Sequence, residues 1–289
     1  MNKDMNLDPQ YAPRSFRVAV IQMCCGPSVQ TNLKQALRLI AQAAEEGAEI
    51  ALLPENTLYL RIEDGPNAPL FFPESDPFQA LRDAASEHGI WLVIGSLTED
   101  SGDRARPFNT CVVIDNHGAV RASYRKIHLF SLKTKTIDLD ENRTIAAGNE
   151  LVVARTDFGS WGLSICYDLR FPELYRALTN HGATTLVCPA AFTKKTGAMH
   201  WHHLLRSRAV ENQAYVLAAG QCGHHGGNRS SYGHSLIIDP WGRVLAEATD
   251  EPGVLIAEID PEVVRDFRGR LPSLKDTKME LPWPVKVFE

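Results

Sequence analysis

Gly162–Glu173 reads GLSICYDLRFPE. An apolar run ends at Cys166, the charged segment YDLR follows, and Pro172 opens a helix within six residues of the cysteine. YDLR is too charged for a strand interior. The stretch therefore predicts a strand, a turn and a helix, with the thiol at the strand tip and nearby N–H groups pointing towards its target. The same strand-then-helix grammar extends in both directions. Upstream, Arg17–Met23 is a short apolar strand. Leu33, Ala36, Leu37, Ile40, Ala43 and Ala44 share one helical face, with Thr31 or Asn32 as cap and Gly47 as stop. Ile50–Leu53 is a buried strand ended by Pro54-Glu55. Asp76-Pro77 opens a second helix that runs to His88 and stops at Gly89, before a strand at Ile90–Ser96. Downstream, Thr185–Cys188 leads into a helix over Trp201–Gln213, and Tyr215–Ala219 and Val254–Ile259 are late strands. Turns at Asp115-Asn116-His117-Gly118 and Asp239-Pro240-Trp241-Gly242 join strand pairs into hairpins. This mixture predicts an α/β fold with mixed sheets and helices outside. No repeat or linker divides 16–289, which reads as a single domain behind a flexible leader, 1–15.

Bulk properties remove several function classes. The 289 residues are 44% hydrophobic and 22% charged, enough for a large unstapled core. A net charge of -5 disfavours nucleic acid and anionic membranes as partners. The six cysteines have irregular spacing and no CxxC pair, which fits free thiols in a reducing cytoplasm. The N-terminal stretch is polar, without an apolar signal core, and no run approaches the ~18 apolar residues of a membrane span. The tail, 271–289, is rich in proline yet carries Leu281, Trp283, Val285, Val287 and Phe288. It is too apolar to be idly solvated and is expected to pack, as at a subunit interface.

Amide hydrolysis needs a nucleophile, a group that accepts and returns protons, and positive or N–H groups that meet the oxyanion. Cys166 offers the first; positive charge beside it would raise its thiolate fraction. Glu55 ends an apolar strand in Leu52–Asn56 (LLPEN), and Lys126 follows a strand in Tyr124–Phe130 (YRKIHLF). Taken singly, these are also a buried structural thiol, a solvated loop carboxylate and a surface lysine. The histidines His200, His202, His203, His224, His225 and His234 form neither an HExxH motif nor a paired finger, so no metal and no cofactor is expected. GxGxxG and GxxxxGK[ST] are missing, which leaves nucleotide binding without support. A Cys–His pair of the papain kind would leave Glu55 and Lys126 unexplained.

Together the three segments resemble the nitrilase superfamily of carbon–nitrogen hydrolases, whose signature is a Glu–Lys–Cys triad. The likeness runs through 162–178 (GLSICYDLRFPELYRAL), 189–223 and 231–245 (SYGHSLIIDPWGRVL), and covers roughly Phe16 to Asp260. Within the superfamily, 221–235 (QCGHHGGNRSSYGHS) is most similar to the Nit-type amidases that act on deaminated glutathione, relatives of ω-amidase. The resemblance implies a four-layer α-β-β-α sandwich. It makes Cys166 the nucleophile and Glu55 the general base, with Lys126 and the backbone N–H of Tyr167 holding the oxyanion. Glu141 is the best match to a second glutamate, although the preceding 131–140 departs from the family's acidic, glycine-containing loop. Arg170 would bind a substrate carboxylate, or else bridge Asp168 or Glu173; Phe192 and Thr196 match the pocket segment. A homodimer or larger homo-oligomer would form through Pro172–Asn180 and Trp201–Gln213, with the tail crossing to the partner. The implied reaction is thioester-mediated hydrolysis of a small carboxylated amide, deaminated glutathione or a related α-keto ω-amide. A carbamoylase or nitrilase would use the same triad. A binding or regulatory protein on the same fold would not need all three positions filled.

Overall fold

The computed structural model describes residues 14–62, 67–133, 138–277 and 285–288. The elements are, in order, β1 (Phe16–Gln22), α1 (Val29–Glu45), β2 (Ile50–Leu52), α2 (Asp76–His88), β3 (Trp91–Glu99), β4 (Phe108–Ile114), β5 (Val120–Arg125), β6 (Ser131–Lys133), β7 (Asp138–Asp140), β8 (Leu151–Thr156), β9 (Gly159–Leu163), α3 (Pro172–Asn180), β10 (Thr185–Val187), α4 (Lys194–Asn212), β11 (Tyr215–Ala218), β12 (Cys222–Gly226), β13 (Arg229–Tyr232), β14 (Leu236–Ile238), β15 (Val244–Glu247), β16 (Gly253–Ile259), α5 (Pro261–Arg270) and β17 (Val285–Phe288). Two sheets dominate. One has the order β16-β1-β2-β3-β4-β5, the other β15-β14-β11-β10-β9-β8-β17.

Alternation along the strands explains the layering. On β1, β2 and β3, Val18, Val20, Ile50, Leu52, Trp91 and Val93 join the core shared with the second sheet. The intervening Ala19, Ile21, Ala51, Leu92 and Ile94 pack instead with Leu39 and Ile40 of α1 and Phe78 and Leu81 of α2. Successive side chains leave a strand on opposite faces, so both faces of the sheet are buried and the segments read as unbroken apolar runs. The second sheet is covered by α3 and α4 through Leu174, Leu178, Trp201 and Leu205. The result is the four-layer α-β-β-α sandwich.

β2 pairs in parallel with β1 and β3, and β10 with β9 and β11. Two antiparallel steps, β3 to β4 and β4 to β5, bring β5 back to the direction of β2. Glu55, Lys126 and Cys166 therefore all follow C-terminal strand ends, where a parallel arrangement displays functional groups. Gly95 lets the Glu55 turn approach: a Cβ there would lie 2.2 Å from the Leu53 carbonyl oxygen and 2.4 Å from that of Pro54.

Several sequence expectations shift. Ser28, not Thr31 or Asn32, caps α1, and its hydroxyl accepts the Thr31 N–H. Asn32 is buried and ties loops together, donating to the carbonyls of Gly26 and Leu58 at 2.8 and 2.9 Å. Ser75, not Asp76, caps α2, so Asp76-Pro77 lies inside the first turn. α4 begins at Lys194 rather than Trp201. The added turns, KKTGAMH, are polar and lack an amphipathic stripe, so tertiary contacts fix them. α5 and the hairpin β12–β13 lie outside the elements that the sequence pattern predicts. Of the expected leader, residues 1–13 lie outside the described ones, whereas the Arg14 guanidinium pairs with Glu49. In the 131–140 loop, β6 pairs with β7. Of the tail, 278–284 and 289 lie outside the described residues, and β17 pairs in parallel with β8 of its own chain. Among the described residues no helix is long and apolar enough to cross a membrane.

Candidate active site

Glu55, Lys126 and Cys166 are buried at 2%, 1% and 7% exposure, so the thiol is the member nearest solvent. The Lys126 ammonium donates to Glu55 Oε1 at 2.9 Å and to Glu141 Oε2 at 2.8 Å. Glu55 also accepts from Asn109 Nδ2 on Oε1 and from the Ala191 N–H on Oε2, both at 2.9 Å. Gln221 Nε2 donates to the Glu55 backbone carbonyl at 2.9 Å. The Phe130 N–H donates to Glu141 Oε2 at 2.7 Å. The carboxylate of Glu55 is thus fixed from both sides, and its lysine from two directions. Gly148 permits the lysine's strand end to be covered, because a Cβ there would stand 2.3 Å from the Arg125 carbonyl oxygen.

The electrostatics follow from burial and charge. Desolvation pushes the Glu55 carboxyl up, but the Lys126 charge and hydrogen bond, with the neighbouring Cys166 thiol, outweigh it and hold Glu55 below its ordinary value. Desolvation opposes the Lys126 charge, yet Glu141 and Glu55 overcome it and raise the ammonium well above the usual lysine range. Cys166 goes the other way. Burial and then the Glu55 charge push its thiol well above the ordinary cysteine value, against the smaller pull of Lys126. Adjacent positive charge favours the thiolate in the expected sense, but burial and Glu55 outweigh it and favour the thiol.

Cys166 opens a 3-10 turn, Cys166–Arg170, with φ at +49°, a left-handed value uncommon outside glycine. Its N–H donates to the Pro189 carbonyl at 2.8 Å. Fully buried Asp168 holds the turn. Its Oδ2 accepts the Ile165 N–H at 2.9 Å and the Tyr124 hydroxyl at 2.7 Å. Its Oδ1 accepts the His128 N–H at 3.1 Å and faces His128 Nδ1 at 2.7 Å, which favours the Nδ1–H tautomer. His128 stacks on Phe171 with centroids 3.6 Å apart. One carboxylate thereby ties the cysteine turn to the lysine segment. Tyr167 follows the cysteine in the first turn, where an N–H has no acceptor within the helix.

Arg170 bridges neither Asp168 nor Glu173. Both Asp168 oxygens are occupied as above, and Arg170 Nη1 lies 3.3 Å from His200 Nδ1 on α4. Its guanidinium carbon is 5.2 Å from the Phe192 ring centroid and 5.9 Å from that of Tyr167. Phe130 and Phe171 meet Tyr167 edge-on. The structure thus brings Tyr167, Arg170 and Phe192 together. Thr196 lies in the first turn of α4, its hydroxyl 2.7 Å from that of Thr193. Asn109, Gln221, Asp168, His128 and His200 were not singled out for the site from sequence. Asp168 and His128 lie inside the cysteine and lysine motifs, which is the signal that marks them; Asn109 and Gln221 carry no local signal.

Residues 17–269 match the family model described as carbon-nitrogen hydrolase. A deaminated glutathione amidase of Synechocystis is 39% identical over 268 residues, covering 91% of this chain and 98% of the relative. The nitrilase and fragile histidine triad fusion protein of Caenorhabditis elegans is also 39% identical over 268 residues, but this chain spans only 61% of its length. The crystal structure of that fusion aligns with a TM-score of 0.85 at 37% identity, over 92% of this chain and 66% of that one. An amidase of Nesterenkonia, solved after acrylamide addition at its active-site cysteine, aligns with a TM-score of 0.73 at 28% identity, over 89% of this chain and 98% of that one. The chain belongs to the carbon–nitrogen hydrolase family.

Proposed function

We propose that the protein is an amidase that cleaves a small, carboxylate-bearing amide through a thioester on Cys166. The observation that carries this is the ion network in which one buried ammonium, Lys126, bridges Glu55 and Glu141 beside a thiol. Glu55 is ionised at neutral pH and Cys166 is not, so the carboxylate takes the thiol proton as sulfur attacks the carbonyl carbon. An ammonium has three N–H bonds and the two carboxylates occupy two. The third, with the Tyr167 N–H, meets the oxyanion. Glu55 then passes its proton to the leaving nitrogen, and ammonia or an amine departs. Water, losing a proton to Glu55, attacks the thioester, and that proton returns to sulfur as the acid leaves. Glu141 keeps Lys126 charged and aimed throughout.

Arg170, backed by His200 and flanked by Phe192 and Tyr167, supplies a planar cation that pairs with no carboxylate among the described residues, suited to two hydrogen bonds with a substrate carboxylate. With relatives named deaminated glutathione amidases, this favours deaminated glutathione or a related α-keto ω-amide as substrate. The free state of all six cysteines supports a reducing, cytoplasmic setting. Exposed Met199 and Val210 on α4 support a homo-oligomer that buries this helix. Purified protein should release ammonia or amine from these amides faster than from carbamoyl amino acids or nitriles. Arg170→Ala should raise KM steeply for the carboxylated amide and little for a neutral one; equal losses on both would make Arg170 a scaffold residue and remove the argument for a carboxylate.

A further inference from the structure

We propose that His202, His234 and Glu247, with Asp250 behind His234, form a zinc site on the outer face of the second sheet. It goes beyond the amidase reading and does not depend on it. The three ligand residues come from separate places: α4, the segment between β13 and β14, and the end of β15. Their separation in sequence is why no HExxH or finger spacing announces them. His202 Nε2 lies 2.9 Å, and His234 Nδ1 3.1 Å, from the same oxygen, Glu247 Oε1. The three ligand atoms all fall within 4.8 Å of one another. Tetrahedral zinc with bonds of 2.0–2.1 Å sets its donors about 3.3 Å apart. Small side-chain adjustments would open the trio around one ion, with water completing the shell.

Two further observations favour a metal over a simple ion pair. The other ring nitrogen of His234, Nε2, faces Asp250 Oδ1 at 3.3 Å. A carboxylate on the far nitrogen is the usual outer partner of a metal-bound histidine; it fixes the tautomer and raises the basicity of the ligating nitrogen. With zinc, Nδ1 offers its lone pair and a single proton on Nε2 serves Asp250. The imidazole is also held in place: the Tyr232 ring stacks on it at 4.4 Å, and Trp201 Nε1 donates to the His234 carbonyl at 2.7 Å. Two imidazoles and one carboxylate suit zinc better than magnesium or calcium, which prefer all-oxygen shells. The ion would clamp α4 to the β14–β15 hairpin.

The test uses the full chain after EDTA treatment and dialysis, titrated with zinc chloride by calorimetry. Cobalt(II) is the spectroscopic probe, because thiolate ligation gives a strong near-ultraviolet band that nitrogen and oxygen ligands do not. The expected result is one zinc per chain, cobalt spectra without the thiolate band, and a higher Tm with zinc. His202→Ala and Glu247→Ala should lose the zinc and the Tm shift while retaining amide hydrolysis, which shows that they fold. Asp250→Asn should weaken binding by about 10–100-fold. Failure to take up one equivalent at about 0.1 mM zinc, undiminished binding in His202→Ala and Glu247→Ala, or a thiolate band in cobalt spectra would each overturn the site.

Discussion

At Cys166 two opposing charges compete for one thiol, and burial decides between them. Desolvation and Glu55 both favour S–H, and Lys126 favours the thiolate. A free cysteine would titrate near 8.5. Alkylation of Cys166 by iodoacetamide should therefore show no sigmoidal rise between about pH 7 and 9, unlike an exposed thiol; a midpoint near the free value would refute the assignment of a neutral thiol. Cys166→Ala should abolish turnover with the fold intact. Glu55→Gln should also lose turnover although Cys166 is still present, read as ammonia release; near-normal rates would remove Glu55 from the proposed mechanism. Lys126→Ala is expected to cost about 3–4 kcal/mol of transition-state stabilisation. It also leaves Glu55 and Glu141 without their cation, a loss of order 3–5 kcal/mol in folding for a broken buried pair. Its kinetics thus need a parallel unfolding measurement.

The elements matter through the precision with which they present these groups. β3 presses on the Glu55 turn at Gly95, so Gly95→Ala must displace the backbone of Leu53 and Pro54. A forced shift of this kind costs about 1–3 kcal/mol. Turnover should fall further than this modest loss of stability explains, since the displaced backbone carries Glu55, the proposed base. Unchanged kcat would mean that the turn relaxes without moving Glu55. Asp168→Asn probes the second support. The amide keeps the shape but presents one acceptor oxygen where the carboxylate presents two to Ile165, Tyr124 and His128. A buried donor left unsatisfied costs about 1–3 kcal/mol. kcat should drop at least about tenfold if the left-handed Cys166 relaxes, because a change near 1.4 kcal/mol is already tenfold; a loss of stability alone would make Asp168 purely structural.

For the whole molecule, the buried ion network couples folding to pH. Glu55 is held below its ordinary 4.5, so its stabilisation is present above that value and is lost as pH falls through the folded pKa. Lys126 is raised above 10.5, so its contribution is present below that value and is lost only as pH rises through the higher folded pKa. Between these limits both contributions are fully present. Thermal unfolding followed against pH should show Glu55→Gln flattening part of the acid limb; an unaltered limb would mean that other carboxylates set it. Assembly is the other property at this scale. Sedimentation should give at least a dimer of the 32.1 kDa chain, and a monomer at micromolar concentration would refute burial of α4 between copies.

The sequence by itself determined the alternation of strands and helices and the location of Glu55, Lys126 and Cys166 at strand ends. Such signals are local: an apolar run, a turn, a polar group just past it. The resemblance added the four-layer arrangement, which periodicity alone does not specify, because runs buried on both faces look the same in many sheet orders. Helix boundaries moved where Ser28 and Ser75 captured the caps, and where the polar first turns of α4 gained stability from contacts rather than from their own pattern. Only the tertiary structure decided that Asn109, Ala191 and Gln221 converge on Glu55, that Asp168 joins the cysteine turn to His128, and that Arg170 meets His200 instead of a carboxylate. The same folding gathered His202, His234 and Glu247. These contacts join residues distant in sequence, and their physical basis is the need of buried polar groups for partners, a condition met in space that no local pattern records.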